Sequence, residues 1–191
     1  KIDILSWLGA NHAEKQAAAI APYVASANDE IATTAIAAAS KIGGDISLKA
    51  LINRMVKEQN SKAVEEALVT GLLAFNGKIN DEFVGAMDAN SSSRAIAKQV
   101  LASRRIPAAA QKVLNWVNGG SDDAVAALTT NAVEGNFAAL CNLFEQGKPM
   151  GDAILKAIQE KSASEQAKMI QDRMAKAGAR KHIYYPILAA T

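Results

Sequence analysis

The chain punctuates itself at a nearly constant interval, and that interval constrains the fold more than any other feature. Residues able to cap a helix stand at Asn28, Ser61, Ser91 and Ser121, with spacings of 33, 30 and 30. Each follows a short polar break and precedes an alanine-rich or aliphatic stretch, as an N-cap should. Helix stops recur out of phase with them, at Gly43-Gly44, Asn76-Gly77, Ile106-Pro107 and Gly135. Glycine supplies the left-handed residue after a helix, and proline cannot continue one.

Between each stop and the next start lies another helix-length segment. These segments carry an apolar triplet at i, i+1 and i+4. The triplets are Ile20, Ala21, Val24; Leu51, Ile52, Met55; Phe83, Val84, Met87; Val113, Leu114, Val117; and Leu140, Cys141, Phe144. That spacing puts all three side chains on one helical face. The second helix of each unit aligns as well. Val64, Leu68, Leu72 and Phe75 come 33 residues after Ile31, Ala35, Ala39 and Ile42, and Ala124, Leu128, Ala132 and Gly135 come 60 after Val64 and its companions. Between 91 and 106 a plain 30-residue shift puts Arg94 and Lys98 where Val64 and Leu68 stand, so this unit is shifted by a residue or two or is irregular.

The expected unit is a pair of antiparallel helices of about 30 residues, repeated at least four times. So small a pair cannot bury its apolar face alone, and neighbouring pairs must stack. Composition agrees. The chain has 40 alanines among 191 residues, is 50% hydrophobic, and has only 5% aromatic residues. Alanine favours helix and lets helices approach closely, and the scarcity of aromatics argues against a β-sandwich. The expected fold class is all-α, a right-handed α-α superhelix of about five to six stacked pairs filling residues 1–191 as one domain. The repeats are clear over 1–147. From 148 to 191 the pattern loosens, with helices expected over Asp152–Lys161 (Ala153, Ile154, Ala157 and Ile158 inward) and Ser164–Ala177 (Ala167, Ile170 and Met174 inward), and a partial helix over Ile183–Ala190.

At the level of residues the chain resembles the HEAT/armadillo-type helical repeats, in particular the short bacterial HEAT form. Two segments carry the resemblance, NDEIATTAIAAASKIG over Asn28–Gly43 and SKAVEEALVTGLLAFNG over Ser61–Gly77. Each looks like the second helix of such a repeat. Pro22, inside the first helix of a pair, is similar to the kink common in that family. The arginine common after the β-branched residue is missing, since Ala32 and Glu65 stand there. The resemblance implies a solenoid with a broad binding face and no particular reaction.

Reactive chemistry is sparse. His12 and His182 have no second ligand at i+3 or i+4, and Cys141 is the single cysteine, in an apolar segment that marks it as a core residue. No metal and no cofactor are expected. Gly71 to Lys78 superficially resembles a phosphate loop, with five residues between the glycines and Ile79 in place of Ser or Thr, and is read as a helix with a glycine stop. The acidic pairs Asp29-Glu30, Glu65-Glu66, Asp81-Glu82 and Asp122-Asp123 fall at helix starts, where negative charge suits the dipole. No uncharged run reaches the ~18 apolar residues of a membrane span. The chain starts at Lys1 without a signal peptide and ends in an apolar stretch, which predicts a trimmed or mature fragment of a longer polypeptide, with the compartment open.

One charged feature stands out. Arg94, Lys98, Arg104, Arg105 and Lys112 lie within nineteen residues without an acidic neighbour, and Arg94, Lys98 and Arg105 share a helical face by spacing. They form a candidate binding patch, weighed against solvated surface charge. Trp116 is assigned to the core. Arg173, Lys176, Arg180 and Lys181 lie at a helix end, where cations suit the dipole. The expected function is a non-catalytic protein-interaction or scaffold module. The alternatives are a nucleic-acid- or anion-binding array using the basic patch, and an accessory domain of a multidomain enzyme. A net charge of +2 makes nucleic acid the weaker partner.

Overall fold

The computed structural model describes residues 1–11 and 14–191. It is all-α: 77% of the residues are helical, and no strand occurs among those described. The chain forms two compact units, Lys1–Val100 and Leu101–Thr191.

The first unit holds α1 (Ile2–Ala10), α2 (Ala17–Val24), α3 (Asp29–Ile42), α4 (Gly44–Met55), α5 (Lys62–Leu73) and α6 (Asp81–Ala86), and the start of α7 (Ser91–Ser103). Its helices pack by alternation. α3 lies against α1 and α5, while α4 lies against α2 and α6. The two sets meet where α3 touches α2 and α4 and where α4 touches α5. α3 is therefore surrounded, and Ala32, Ala35, Ala38 and Ala39 are all buried. Small side chains are what such a helix needs. A Cβ on Gly9 of α1 would stand 2.7 Å from Ala38 Cα, and one on Gly71 of α5 would stand 2.5 Å from Ser40 Oγ.

The repeat triplets form the core. In the first unit Ile20, Val24, Leu51, Ile52, Met55, Phe83 and Met87 are buried, with Ala21 and Val84 half-buried. Of the expected caps the first two hold and the third is shifted. Asn28 Oδ1 accepts from Ile31 N at 3.0 Å and Ser61 Oγ from Val64 N at 3.3 Å. In the third sequence repeat the cap is Asn90 rather than Ser91: Asn90 Oδ1 accepts from Ser93 N at 2.8 Å. The period there is 29 residues, which puts Ser93 and Ala97 where Val64 and Leu68 stand, and both are fully buried. The register break is thus a one-residue shift. Ser93 is tolerated because its hydroxyl donates to Met55 O at 3.1 Å.

A second regularity links repeat to repeat. Side chains donate to carbonyls near the end of a helix about one period earlier. Arg54 bonds Ser26 O at 3.0 Å, Lys57 bonds Ala25 O at 3.2 Å, Asn76 bonds Lys41 O at 3.3 Å and Asn90 bonds Val56 O at 2.9 Å. The last carbonyls of a helix have no partner within it, and each of these bonds supplies one. Asn76 also donates its backbone N to Ser40 O at 2.8 Å. α5 accordingly ends at Leu73, before the Asn76-Gly77 stop, and Phe75 turns into the core. Gly43 permits this latch, because its φ is 76° and a Cβ there would meet Asn76 O at 1.8 Å.

The second unit holds the end of α7 and then α8 (Ala110–Asn118), α9 (Val125–Asn131), α10 (Phe137–Glu145), α11 (Gly151–Ile158), α12 (Ala163–Ala177) and α13 (Tyr185–Leu188), joined by 3-10 turns. Val113, Leu114, Val117, Leu140 and Cys141 are buried and Phe144 is half-buried. Trp116 is core at 8% exposure. Ser121 makes no side-chain cap, and a 3-10 turn over Asp122–Ala124 precedes α9. α9 stops at Asn131 rather than near Gly135, because fully buried Asn131 bonds Leu101 O, Ala127 O and Ile106 N. Ala153, Ile154, Ala157 and Ile158 form the inward face of α11 as expected. α12 starts with a Ser162–Glu165 capping box, and of its expected inward residues Ile170 is buried while Ala167 and Met174 are half-buried.

Candidate functional site

The five basic residues singled out in the sequence are divided between the units. Arg94 and Lys98 lie in the first. Arg94 Nε pairs with Asp88 Oδ1 at 2.9 Å, an acid from just outside the basic stretch, and Lys98 is half-buried. Arg104, Arg105 and Lys112 lie in the second. Arg104 is half-buried, and loss of water pulls its guanidinium pKa below the ordinary value. Lys112 is half-buried on α8. Arg105 Nη1 donates to Thr130 O and Ala132 O, both at 3.4 Å, and Nη2 lies 3.7 Å from Glu160 Oε1. Those carbonyls close α9, so Arg105 is a cation at a helix C-terminus. A cavity of about 60 Å³ beside it is lined by Val133, Glu134, Lys156, Ala157, Glu160 and Lys161. Lys161 pairs with Glu134 at 3.0 Å, and that hydrogen bond raises the ammonium pKa. The pocket has room for a few waters and carries both signs of charge.

The C-terminal basic cluster does more than serve a helix dipole. Arg173 Nε and Nη2 grip the Glu145 carboxylate at 2.7 and 2.9 Å. Arg180 donates to Glu145 O at 2.6 Å. The hydroxyl of fully buried Tyr184 donates to Glu145 Oε1 at 2.7 Å, and its ring meets Phe144 edge-on at 5.3 Å. Burial pushes the Glu145 carboxyl up, yet the bonds from Arg173 and Tyr184 outweigh it and leave the pKa below the usual value. Burial and the bond to Glu145 push the Tyr184 phenol well above its ordinary range. Burial likewise raises the Cys141 thiol. These groups are committed to one another, and the network fastens the C-terminal helices to α10.

The feature that the sequence reading missed is a groove in the first unit. It is about 270 Å³ in volume and is lined by Ala21, Ala25, Ile46, Lys49, Ala50, Asn53, Arg54 and Lys57. Four of these residues are apolar, the charged ones are all cations, and no acid among the described residues lines it. α2 and α4 supply it because they pack side by side. Arg54 is only 6% exposed. Its place between Leu51 and Met55 on α4 hid its burial, which depends on the end of α2, 28 residues away. Among the described residues no group of three His, Cys, Asp or Glu could hold a metal ion, and no helix is long and apolar enough to cross a membrane. His182 is exposed, with Nδ1 3.2 Å from Ala179 O, and His12 lies outside the described residues. The phosphate-loop-like stretch is the end of α5 and its following turn, with Gly71, Leu72 and Phe75 buried. Comparison with protein families, with characterised proteins and with solved structures finds no match to this chain.

Proposed function

We propose that the chain is a HEAT-like helical-repeat module, a right-handed superhelix of stacked helix pairs, whose work is to bind a protein partner or a neighbouring domain rather than to catalyse a reaction. The observation that carries the reading is the alternation in the first unit, α1–α3–α5 on one side and α2–α4–α6 on the other. Each of α1 to α4 packs against the helix two places on, as in a one-dimensional stack. The carbonyl-capping bonds one period back support the same reading. A stack of this kind leaves one helix of every pair on a continuous face, and the α2–α4 groove lies on such a face.

The test is site-specific photo-crosslinking. A photoreactive residue replaces exposed Asn53 on α4 or, as a control, exposed Lys168 on α12. A protein captured from position 53 and not from 168, identified and then shown to bind the purified chain, is the expected result. Capture of nucleic acid instead, or equal capture from both positions, refutes the proposal.

A further inference from the structure

The α2–α4 groove contains a charge that no acid among the described residues compensates. Arg54 Nη1 donates to Ser26 O at 3.0 Å. Among the described residues Nε has no hydrogen-bond partner, and it has no access to water. No carboxylate among the described residues pairs with the guanidinium, although the residue is 94% buried by its 6% exposure. The carbonyl end of α2 contributes only a partial negative charge, of roughly half a unit. One carbonyl serves one of the five guanidinium N–H groups. A buried cation without a counter-ion is costly, and proteins rarely keep one without a use.

The unused part of Arg54 is informative. With Nη1 on Ser26 O, buried Nε is left without an acceptor among the described residues, and Nη2 lies beside it on the same edge. Two parallel N–H bonds from such an edge match the two oxygens of a carboxylate. Exposed Lys49 and Lys57, which donates to Ala25 O at 3.2 Å, add positive charge at the rim. Ala21, Ala25 and Ala50, with Ile46 at 52% exposure, offer apolar contact on either side. A volume of about 270 Å³ is small for a free organic ligand, whose pockets run from about 300 Å³ upward, and it suits one or two side chains of a longer segment.

We propose that this groove takes an acidic, partly apolar segment of the partner protein and seats a glutamate or aspartate carboxylate on the Nε–Nη2 edge of Arg54. Lys49 steers the acidic segment, and the alanine-lined wall holds its apolar neighbours. Seating includes a small rotation of the guanidinium toward the groove. The assignment rests on the protein-binding reading given above and names the chemistry of the partner.

The test is a titration of the full chain followed by the NMR signal of the Arg54 Nε–H group and the methyl signals of Ala21, Ala25 and Ala50. The probes are acetyl-Ala-Leu-Glu-Ala-Leu-Glu-amide, its twin with Gln for both Glu, and inorganic phosphate. The acidic peptide is expected to shift these signals saturably, with the Gln twin and phosphate each at least tenfold weaker. Lys49→Glu, on an exposed residue, is expected to weaken the acidic peptide about tenfold while leaving the helical spectrum unchanged. Arg54→Gln is expected to abolish the binding, with its melting curve recorded to confirm folding. Equal binding of the Gln twin, equal binding of phosphate, or an unmoved Arg54 Nε–H signal overturns the assignment. If the assignment falls while a protein is still captured at position 53, the interaction-module reading stands. If the peptide binds and no protein is captured, the groove chemistry stands and that reading falls.

Discussion

Replacing Gly71 with alanine tests whether α3 and α5 touch as closely as the stacked arrangement requires. The added Cβ would stand 2.5 Å from Ser40 Oγ and 3.0 Å from Ile36 Cγ2. Overpacking of this kind costs roughly 1–3 kcal/mol. Against it stands the helix propensity of alanine over glycine, a gain of about 1 kcal/mol. The net expectation for Gly71→Ala is a loss of about 1 kcal/mol. Ser40→Ala removes the nearer obstacle and leaves Ser40 Cβ at 3.6 Å, an ordinary contact, although Ile36 must still yield a few tenths of an ångström. By itself Ser40→Ala loses only a local bond to Ile36 O at 2.7 Å. Such bonds within a helix contribute little, so the single change should stay within about 0.5 kcal/mol. The double variant should therefore be more stable than the sum of the singles by about 1 kcal/mol. Urea unfolding followed by circular dichroism measures all four corners of the cycle. The reasoning fails if Gly71→Ala stabilises by its full propensity gain, or if the two changes add to within about 0.3 kcal/mol.

Three further outcomes follow from the second unit. Glu145→Gln should lower stability near neutral pH. The Glu145 pKa is depressed in the folded state, so its contribution is present above the unfolded value of about 4.3 and is lost as pH falls through the folded one. The gap between wild type and variant should therefore close on acidification, and a gap unchanged down to pH 2 would contradict the network. Asn131→Ala leaves Ile106 N and Leu101 O buried without their partner, at a cost of about 2–4 kcal/mol, read by urea unfolding through the fluorescence of buried Trp116. Cys141 is fully buried and its thiol pKa is raised, so a thiol reagent at pH 8 should react slowly with the folded chain and fast in denaturant. Equal rates would place the thiol outside the core.

Much of the fold was legible because its signals are local. The triplets such as Leu51, Ile52 and Met55 mark a buried face through spacing within a single helix, and Ala153, Ile154, Ala157 and Ile158 do the same. Helix starts were legible where the cap serves its own first turn, as at Asn28 and Ser61. Ser91 misled by one residue because Asn90 beside it is an equally good cap and also bonds Val56 O in the preceding repeat. Helix ends were less legible, since α5 and α9 stop where Asn76 and Asn131 reach across to an earlier helix. The groove was hidden for the same reason. Nothing near Arg54 in the sequence reveals that Ser26 accepts its hydrogen bond, or that no acid among the described residues answers it. The contact of Arg173 and Tyr184 with Glu145 joins residues 28 and 39 positions apart, beyond any helical period.

The central claim is that helices two places apart in the chain, rather than only consecutive ones, form the stack. The most direct measurement is a set of proton–proton nuclear Overhauser effects in the first unit. One α-proton of Gly71 occupies the direction of the absent Cβ, which would lie 3.0 Å from the Ile36 Cγ2 methyl. One α-proton of Gly9 likewise points at Ala38, whose Cβ lies 3.0 Å from that position. Strong cross-peaks from Gly71 Hα to Ile36 and from Gly9 Hα to the Ala38 methyl are the predicted result. Their absence, with cross-peaks confined to α2–α3 and α4–α5, would show separate helical hairpins and contradict the account.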